Sequence, residues 1–182
     1  MSRKANECWG QRHLNRKFLE EEHLAYVPQN DYFCSMSLSA LYFHLVVRTK
    51  HGRMTIPESG KSDLYSYMAG IIDKRGCQAI IINGMPNHIH FLIRVRPTIC
   101  FSDLVHDLKL GATHFIKSHR EVYPDFDGWG SEYAVFSCSA SDRSGIISYI
   151  KNQENHHKGM SADDELADFC RKANINYFPP AE

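Results

Sequence analysis

Two histidines separated by a single residue sit inside an apolar run, Asn87-His88-Ile89-His90-Phe91. In an extended chain alternate side chains share a face, so His88 and His90 project together while Ile89 points the other way. Two neutral imidazoles side by side make half of a divalent-metal site. A second group of chemically able residues lies downstream, in Tyr149-Ile150-Lys151-Asn152-Gln153-Glu154-Asn155-His156-His157. On a helix, positions i, i+4 and i+7 share a face, so Tyr149, Gln153 and His156 line up with Asn152 beside them. Ile146, Ile147 and Ile150 form the opposite, apolar side. Two imidazoles and the Gln153 carbonyl oxygen would hold Mg²⁺ or Mn²⁺ loosely, leaving positions open for phosphate oxygens and water.

Plainer uses exist for the same residues. A lone tyrosine on a helix most often packs, and histidines in strands are common. His156 and His157 read as a solvated pair favoured by the negative end of the helix dipole, with either also weighed as a contact to metal or DNA and His156 kept as a candidate DNA contact. Arg48, Lys50 and Arg53, around the end of the first strand, and Lys109, near a basic cluster, are candidate phosphate contacts.

The elements that must position these groups follow from periodicity. Leu41 through Val47 is aromatic and β-branched, hence a strand. Thr49 to Gly60 reads as loop, and Ser62 as the cap of a helix whose apolar stripe is Leu64, Tyr65, Met68, Ile71 and Ile72. Arg75-Gly76 ends that helix, Cys77 to Ile82 is a second strand, residues 83–87 a turn, and His88 to Val95 a third strand. Ser102 opens a helix with Leu104, Val105, Leu108, Ala112, Phe115 and Ile116 on its apolar side. His119 to Gly130 is loop and Glu132 to Cys138 a fourth strand. Ser141 or Asp142 caps a helix running through His157, and Ser161-Ala162-Asp163-Asp164 opens another, to about Lys172. Strand-helix-strand-strand-helix-strand is the ferredoxin-like order of an α+β fold: one antiparallel sheet, two helices on one face, the other face free for a ligand. The extra C-terminal helices carry the tyrosine. Residues 1–36 read as a polar extension with a short helix or arm over Arg12 to Glu22, and residues 37–182 as a single catalytic domain.

Composition bounds the function. With 182 residues, 43% of them hydrophobic, the chain fills one core. It has neither a run of 18 apolar residues nor an apolar leader, so no membrane partner is expected. Six cysteines (Cys8, Cys34, Cys77, Cys100, Cys138, Cys170) lie scattered without a C-x-x-C pair, which argues for reduced thiols in the cytoplasm. Lys and Arg balance Asp and Glu at 21 each, but unevenly. Arg94 to Arg120 holds five basic residues against two acidic ones, and Met160 to the end five acidic against two basic. No Gly-rich Lys-Ser/Thr loop is present, so no nucleotide cofactor is expected.

Several segments together resemble the single-tyrosine transposases of the HUH endonuclease superfamily, which serve small insertion sequences and repeat-associated elements. Met85 through Leu92 is similar to their metal-binding strand, and Asp103-Leu104-Val105 through Lys109 to the helix after it. Trp129 with Tyr133 through Ser139 resembles the segment before their catalytic helix, and Tyr149 through His157 that helix itself. The resemblance implies that Tyr149 is a nucleophile and that His88, His90 and Gln153 hold the metal. It further implies cleavage of single-stranded DNA near a hairpin, through a 5′-phosphotyrosine intermediate, by a homodimer. Neutral overall charge and the N-terminal extension leave an alternative from another class, a non-catalytic hairpin-binding regulator on the same fold.

Overall fold

Strict alternation along the strands gives the sheet two faces with different demands, and the whole fold follows from how each is covered. The computed structural model describes residues 39–157, 159 and 161–177; the N-terminal extension lies outside them. Four strands, β1 (Leu41–Thr49), β2 (Gln78–Met85), β3 (His88–Val95) and β4 (Trp129–Cys138), form an antiparallel sheet in the order β2-β3-β1-β4. With helices α1 (Glu58–Lys74) and α2 (Phe101–Ser118), this is the α+β ferredoxin-like arrangement. One face buries Leu45, Val47, Ile89, Phe91 and Ile93 against Leu64, Met68 and Ile72 of α1 and Leu104, Leu108, Ala112 and Ile116 of α2. Each such side chain removed from water contributes roughly 1.5–3 kcal/mol.

The second face is not free. Helix α3 (Arg143–Lys151) lays Ile146, Ile147 and Ile150 on Tyr42, Ile80, Ile81 and Leu92. Helix α5 (Ala162–Lys172) adds Phe169, whose ring lies 5.0 Å from that of His44 and 5.6 Å from that of Phe136. The expectation of an open face fails because β1 and β3 carry Tyr42 and Leu92 there, apolar surface that requires a cover. The α5 cap is regular: the Ser161 hydroxyl accepts the Asp164 amide at 3.1 Å, with acidic residues in the first turn and Arg171 and Lys172 in the last.

Several boundaries move for identifiable reasons. Helix α1 begins at Glu58 after Pro57, not at Ser62. Gly60, which reads as a loop residue, lies inside the helix, where a Cβ would meet the Tyr123 ring at 2.6 Å. The Tyr123 hydroxyl in turn donates to the Gly60 carbonyl at 2.6 Å. Helix α2 starts one residue before Ser102, after Cys100. Strand β2 continues to Met85, so the hairpin turn is only Pro86-Asn87. Strand β4 starts at Trp129 rather than Glu132. The tyrosine helix does not run unbroken to His157: it stops at Lys151, Asn152 takes φ −98° and ψ 22°, and a short α4 (Gln153–His156) resumes with a new bearing. Among the described residues no helix is long and apolar enough to cross a membrane, and Cys77, Cys100, Cys138 and Cys170 are free thiols.

Gly84 lies on β2 opposite Ile89, where a Cβ would stand 2.2 Å from the His88 carbonyl oxygen and 2.8 Å from the Ile89 Cα. Both obstacles are backbone atoms of β3, so neither swings aside. Urea denaturation of Gly84→Ala is expected to show a loss of about 3 kcal/mol. Gly70→Ala, at a position in α1 with open space, is expected to gain about 0.5–1 kcal/mol. Equal stability of Gly84→Ala and the parent would contradict the close approach of the two strands.

Candidate metal and nucleophile site

The register of the sheet assembles the first half of the site. Arg48 pairs with His88 and Val46 with His90 across β1 and β3, while Asn83 of β2 pairs with His90 on the other side. Directly opposed residues share a face, so His88, His90, Arg48 and Asn83 belong to the face covered by α3 and α5. Each imidazole is held through Nδ1. His88 Nδ1 lies 2.7 Å from Asn87 Oδ1, and His90 Nδ1 lies 2.8 Å from His44 Nε2. An N–H on each Nδ1, donated to these acceptors, leaves the Nε2 lone pairs directed into the site. His44 stays a neutral acceptor because burial, then the neighbouring His90, pushes its pKa down to about 3 against an opposing pull from Glu165. Burial likewise lowers His90. His88 and His90 are 1% and 0% exposed, and among the described residues their Nε2 atoms have no hydrogen-bond partner. Orphaned buried nitrogens are costly, and a cation between them removes the cost; the donor chemistry therefore fits a metal.

The helices bring the second half. The Asn83 amide donates to the Ile150 carbonyl at 2.9 Å, pinning the end of α3 to β2 beside His90. Tyr149, half-buried, donates its hydroxyl to Glu165 Oε1. Gln153, fully buried, donates through Nε2 to the same oxygen at 3.1 Å, while its Oε1 lies 3.1 Å from His157 Nε2. The other oxygen, Glu165 Oε2, faces His88 Nε2 at 3.4 Å, His90 Nε2 at 3.3 Å and His157 Nε2 at 3.3 Å. Burial alone would raise the Glu165 pKa, but the facing His88 and His90 imidazoles and the Tyr149 hydroxyl outweigh it and hold the carboxyl well below the usual range. Burial, followed by the Glu165 carboxylate, raises the Tyr149 phenol well above its ordinary value.

The residues singled out in the sequence fall into two groups. His88, His90, Tyr149 and Gln153 converge within contact of one carboxylate. His156 is exposed, its ring tilted against that of Tyr149 at 4.6 Å, whereas His157 faces Glu165 inside the cluster, so the solvated-pair reading fails for His157. Asn152 is exposed at the break, its carbonyl accepting the Asn155 and His156 amides. Arg48 is engaged by Asp163 of α5 at 2.6 Å and Arg53 by Asp127 at 2.7 Å; the Lys50 side chain is exposed. Lys109 directs Nζ at the carbonyls of Gly130, Ser131 and Glu132 at 2.7, 3.3 and 2.9 Å, tying α2 to β4. Two residues escaped the sequence reading, His44 and Glu165, and His157 was read chiefly as half of a solvated pair. For Glu165 a signal was present. It shares the inward stripe of α5 with Ala162, Leu166 and Phe169, where periodicity asks for an apolar residue.

Comparison with known proteins gives a consistent result. The sequence profile described as "Transposase IS200 like" matches residues 37–153. The ISDra2 transposase TnpA of Deinococcus radiodurans is 24% identical over 119 residues, covering 63% of this chain and 85% of that protein. The crystal structure of a putative transposase from Deinococcus radiodurans is similar with a TM-score of 0.52 at 25% identity, over 64% of this chain and 93% of that one. A REP-associated tyrosine transposase, solved bound to a REP hairpin, shares the fold with a TM-score of 0.52 at 14% identity, over 66% and 70% of the two chains. The chain belongs to the IS200-like transposase family, whose work is DNA transposition.

Proposed function

We propose that this transposase is a metal-dependent single-stranded DNA endonuclease and strand transferase that uses Tyr149 as its nucleophile. One observation carries the reading: the Tyr149 hydroxyl and the unpartnered Nε2 atoms of His88 and His90 address the two oxygens of one buried carboxylate, Glu165. A nucleophile and a cation site are thereby held within a single side chain of each other.

His88 and His90 would hold a divalent ion, Mg²⁺ or Mn²⁺ by the sequence reading, with the Gln153 carbonyl oxygen within reach of the same space. A bound ion supplies neutralisation of the scissile phosphate and orientation of its oxygens. His44 and Asn87 keep the two imidazoles in the ligating tautomer. Phe169 and His156 flank the Tyr149 ring. Tyr149 rests as a protonated phenol on Glu165 and must leave that hydrogen bond to attack. In the attack the phenol gives up its proton as its oxygen bonds to phosphorus, the bond to the 3′ oxygen breaks and that oxygen takes up a proton, so that a 5′-phosphotyrosine and a free 3′-OH result. Because the link keeps the energy of a phosphodiester, a DNA 3′-OH reverses the step without ATP.

The expected partner is single-stranded DNA carrying a hairpin, consistent with the hairpin in the REP-associated structure. Phosphate contacts from Arg48 and Arg53 would require exchange of their present partners, Asp163 and Asp127, for the backbone of the DNA. Lys50, and Asn152 and His156 at the helix break, offer exposed groups beside them. Lys109 belongs to the same set only if it gives up the β4 carbonyls. The reading includes a homodimer that holds two DNA ends. Convergence of phenol and imidazoles within one chain supports use of Tyr149 by its own protomer.

Incubation with hairpin-bearing single-stranded DNA and Mn²⁺ is expected to give a protein–DNA adduct on a denaturing gel. Tyr149→Phe and EDTA each abolish it. An adduct that survives Tyr149→Phe refutes the nucleophile; hairpin binding indifferent to EDTA and to His88→Ala, with no adduct, returns the chain to the non-catalytic regulator.

His44 gives a separate prediction. His44→Ala is expected to weaken ion affinity by about tenfold, and His44→Gln to recover part of the loss because its amide oxygen can accept from His90. Calorimetric titration with Mn²⁺ measures both. Identical affinities for parent and His44→Ala would remove His44 from the orientation of His90.

A further inference from the structure

Glu165 Oε2 lies 3.3–3.4 Å from three imidazole nitrogens, those of His88, His90 and His157. All four donor atoms fall within 4.8 Å of one another. These separations are long for ordinary hydrogen bonds. They suit donors that share an ion: ligands at roughly 2.0–2.2 Å from a cation stand about 3.0–3.5 Å from their neighbours in tetrahedral or octahedral sets. His88 and His90 add the independent observation of buried Nε2 atoms, directed into that space, with no hydrogen-bond partner among the described residues. Glu165 is also held in orientation, since its Oε1 accepts from both Tyr149 and Gln153.

We propose that His157, exchanging the contact of its Nε2 with Gln153 Oε1 for the ion, and Glu165 join His88 and His90 as ligands, and that the resulting three-imidazole, one-carboxylate site selects a first-row transition-metal dication over Mg²⁺. This rests on the reading of the cluster as a metal site and sharpens it. Mg²⁺ demands oxygen ligands in near-octahedral array and sheds water reluctantly, so three nitrogen donors in a buried site serve it poorly. Imidazole favours ions from Mn²⁺ to Zn²⁺, and one carboxylate leaves a single net positive charge on the filled site. An ion of coordination number above four retains positions for phosphate oxygens. The ligand Glu165 is then also the positioning residue of Tyr149, linking the nucleophile to the ion through its two oxygens.

The test uses the metal-free full chain titrated with Co²⁺, read by visible absorption and competed with Mg²⁺. One Co²⁺ per chain is expected, resisting roughly a thousandfold excess of Mg²⁺. Glu165→Gln and His157→Ala should each weaken it tenfold or more. Since affinity is also lost when a variant misfolds, electron spin echo spectroscopy of the Mn²⁺-loaded protein counts imidazoles directly: three in the parent, two in His157→Ala. Unchanged Co²⁺ affinity in both variants, displacement by comparable Mg²⁺, or two imidazoles in the parent overturns the proposal. If the parent takes up no ion at all, this proposal and the metal-dependent reading fall together. Three imidazoles and the carboxylate on the ion, with no Tyr149 adduct, sustains this proposal and sinks strand transfer alone.

Discussion

A buried carboxylate facing three imidazoles is the interaction around which the second face of the sheet is organised. Isolated, each of these groups would be expensive to bury. In the cluster the imidazole Nε2 atoms face Glu165 Oε2 while Tyr149 and Gln153 donate to Oε1, and a cation among the facing donors would offset the cost of burying them. The elements involved come from distant parts of the sequence, β3, the end of α3, α4 and α5. The cluster therefore does the structural work of joining the C-terminal helices to the sheet, beside the apolar contacts of Ile150 and Phe169.

The two faces of β3 explain why one strand can serve both stability and chemistry. Ile89, Phe91 and Ile93 are sealed into the main core against α1 and α2, fixing the register of the strand. A slip by one residue would exchange the histidines for isoleucine and phenylalanine. Gly84 adds a second constraint by letting β2 approach β3 where the histidines begin. Rigidity on the apolar side thus becomes precision on the polar side.

Much of this was legible in the sequence. Period-two and helical spacing located every strand and helix of the βαββαβ unit, and the alternation of His88, Ile89 and His90 correctly placed the histidines on one face. Boundaries drifted where tertiary contacts override local signals: Gly60 reads as punctuation, yet it lies within α1 as a glycine that leaves room for the Tyr123 ring. The site was half legible. Gln153 follows from its i+4 relation to Tyr149, but the sequence read His156 and His157 chiefly as a solvated pair, and the structure separates them, His157 facing Glu165 and His156 exposed. Glu165 hid among Asp163, Asp164 and Asp168, acidic neighbours explained equally well by the helix dipole. His44 sits in an apolar strand, and its meeting with His90 depends on register between strands far apart in the chain.

The site also joins opposite charges from distant parts of the chain. The acidic C-terminal helix meets cationic and ligating groups of the sheet, Asp163 with Arg48 and Glu165 with the histidines. A neutral total therefore conceals internal complementarity and says little about affinity for DNA. The account turns on a single cation shared by histidines that lie beside Tyr149. Anomalous diffraction at the manganese edge, from crystals grown with Mn²⁺, tests it most directly. One peak at bonding distance from His88 Nε2 and His90 Nε2, with the Tyr149 oxygen beside it, is the predicted result. No peak there, or one remote from both histidines, would contradict it.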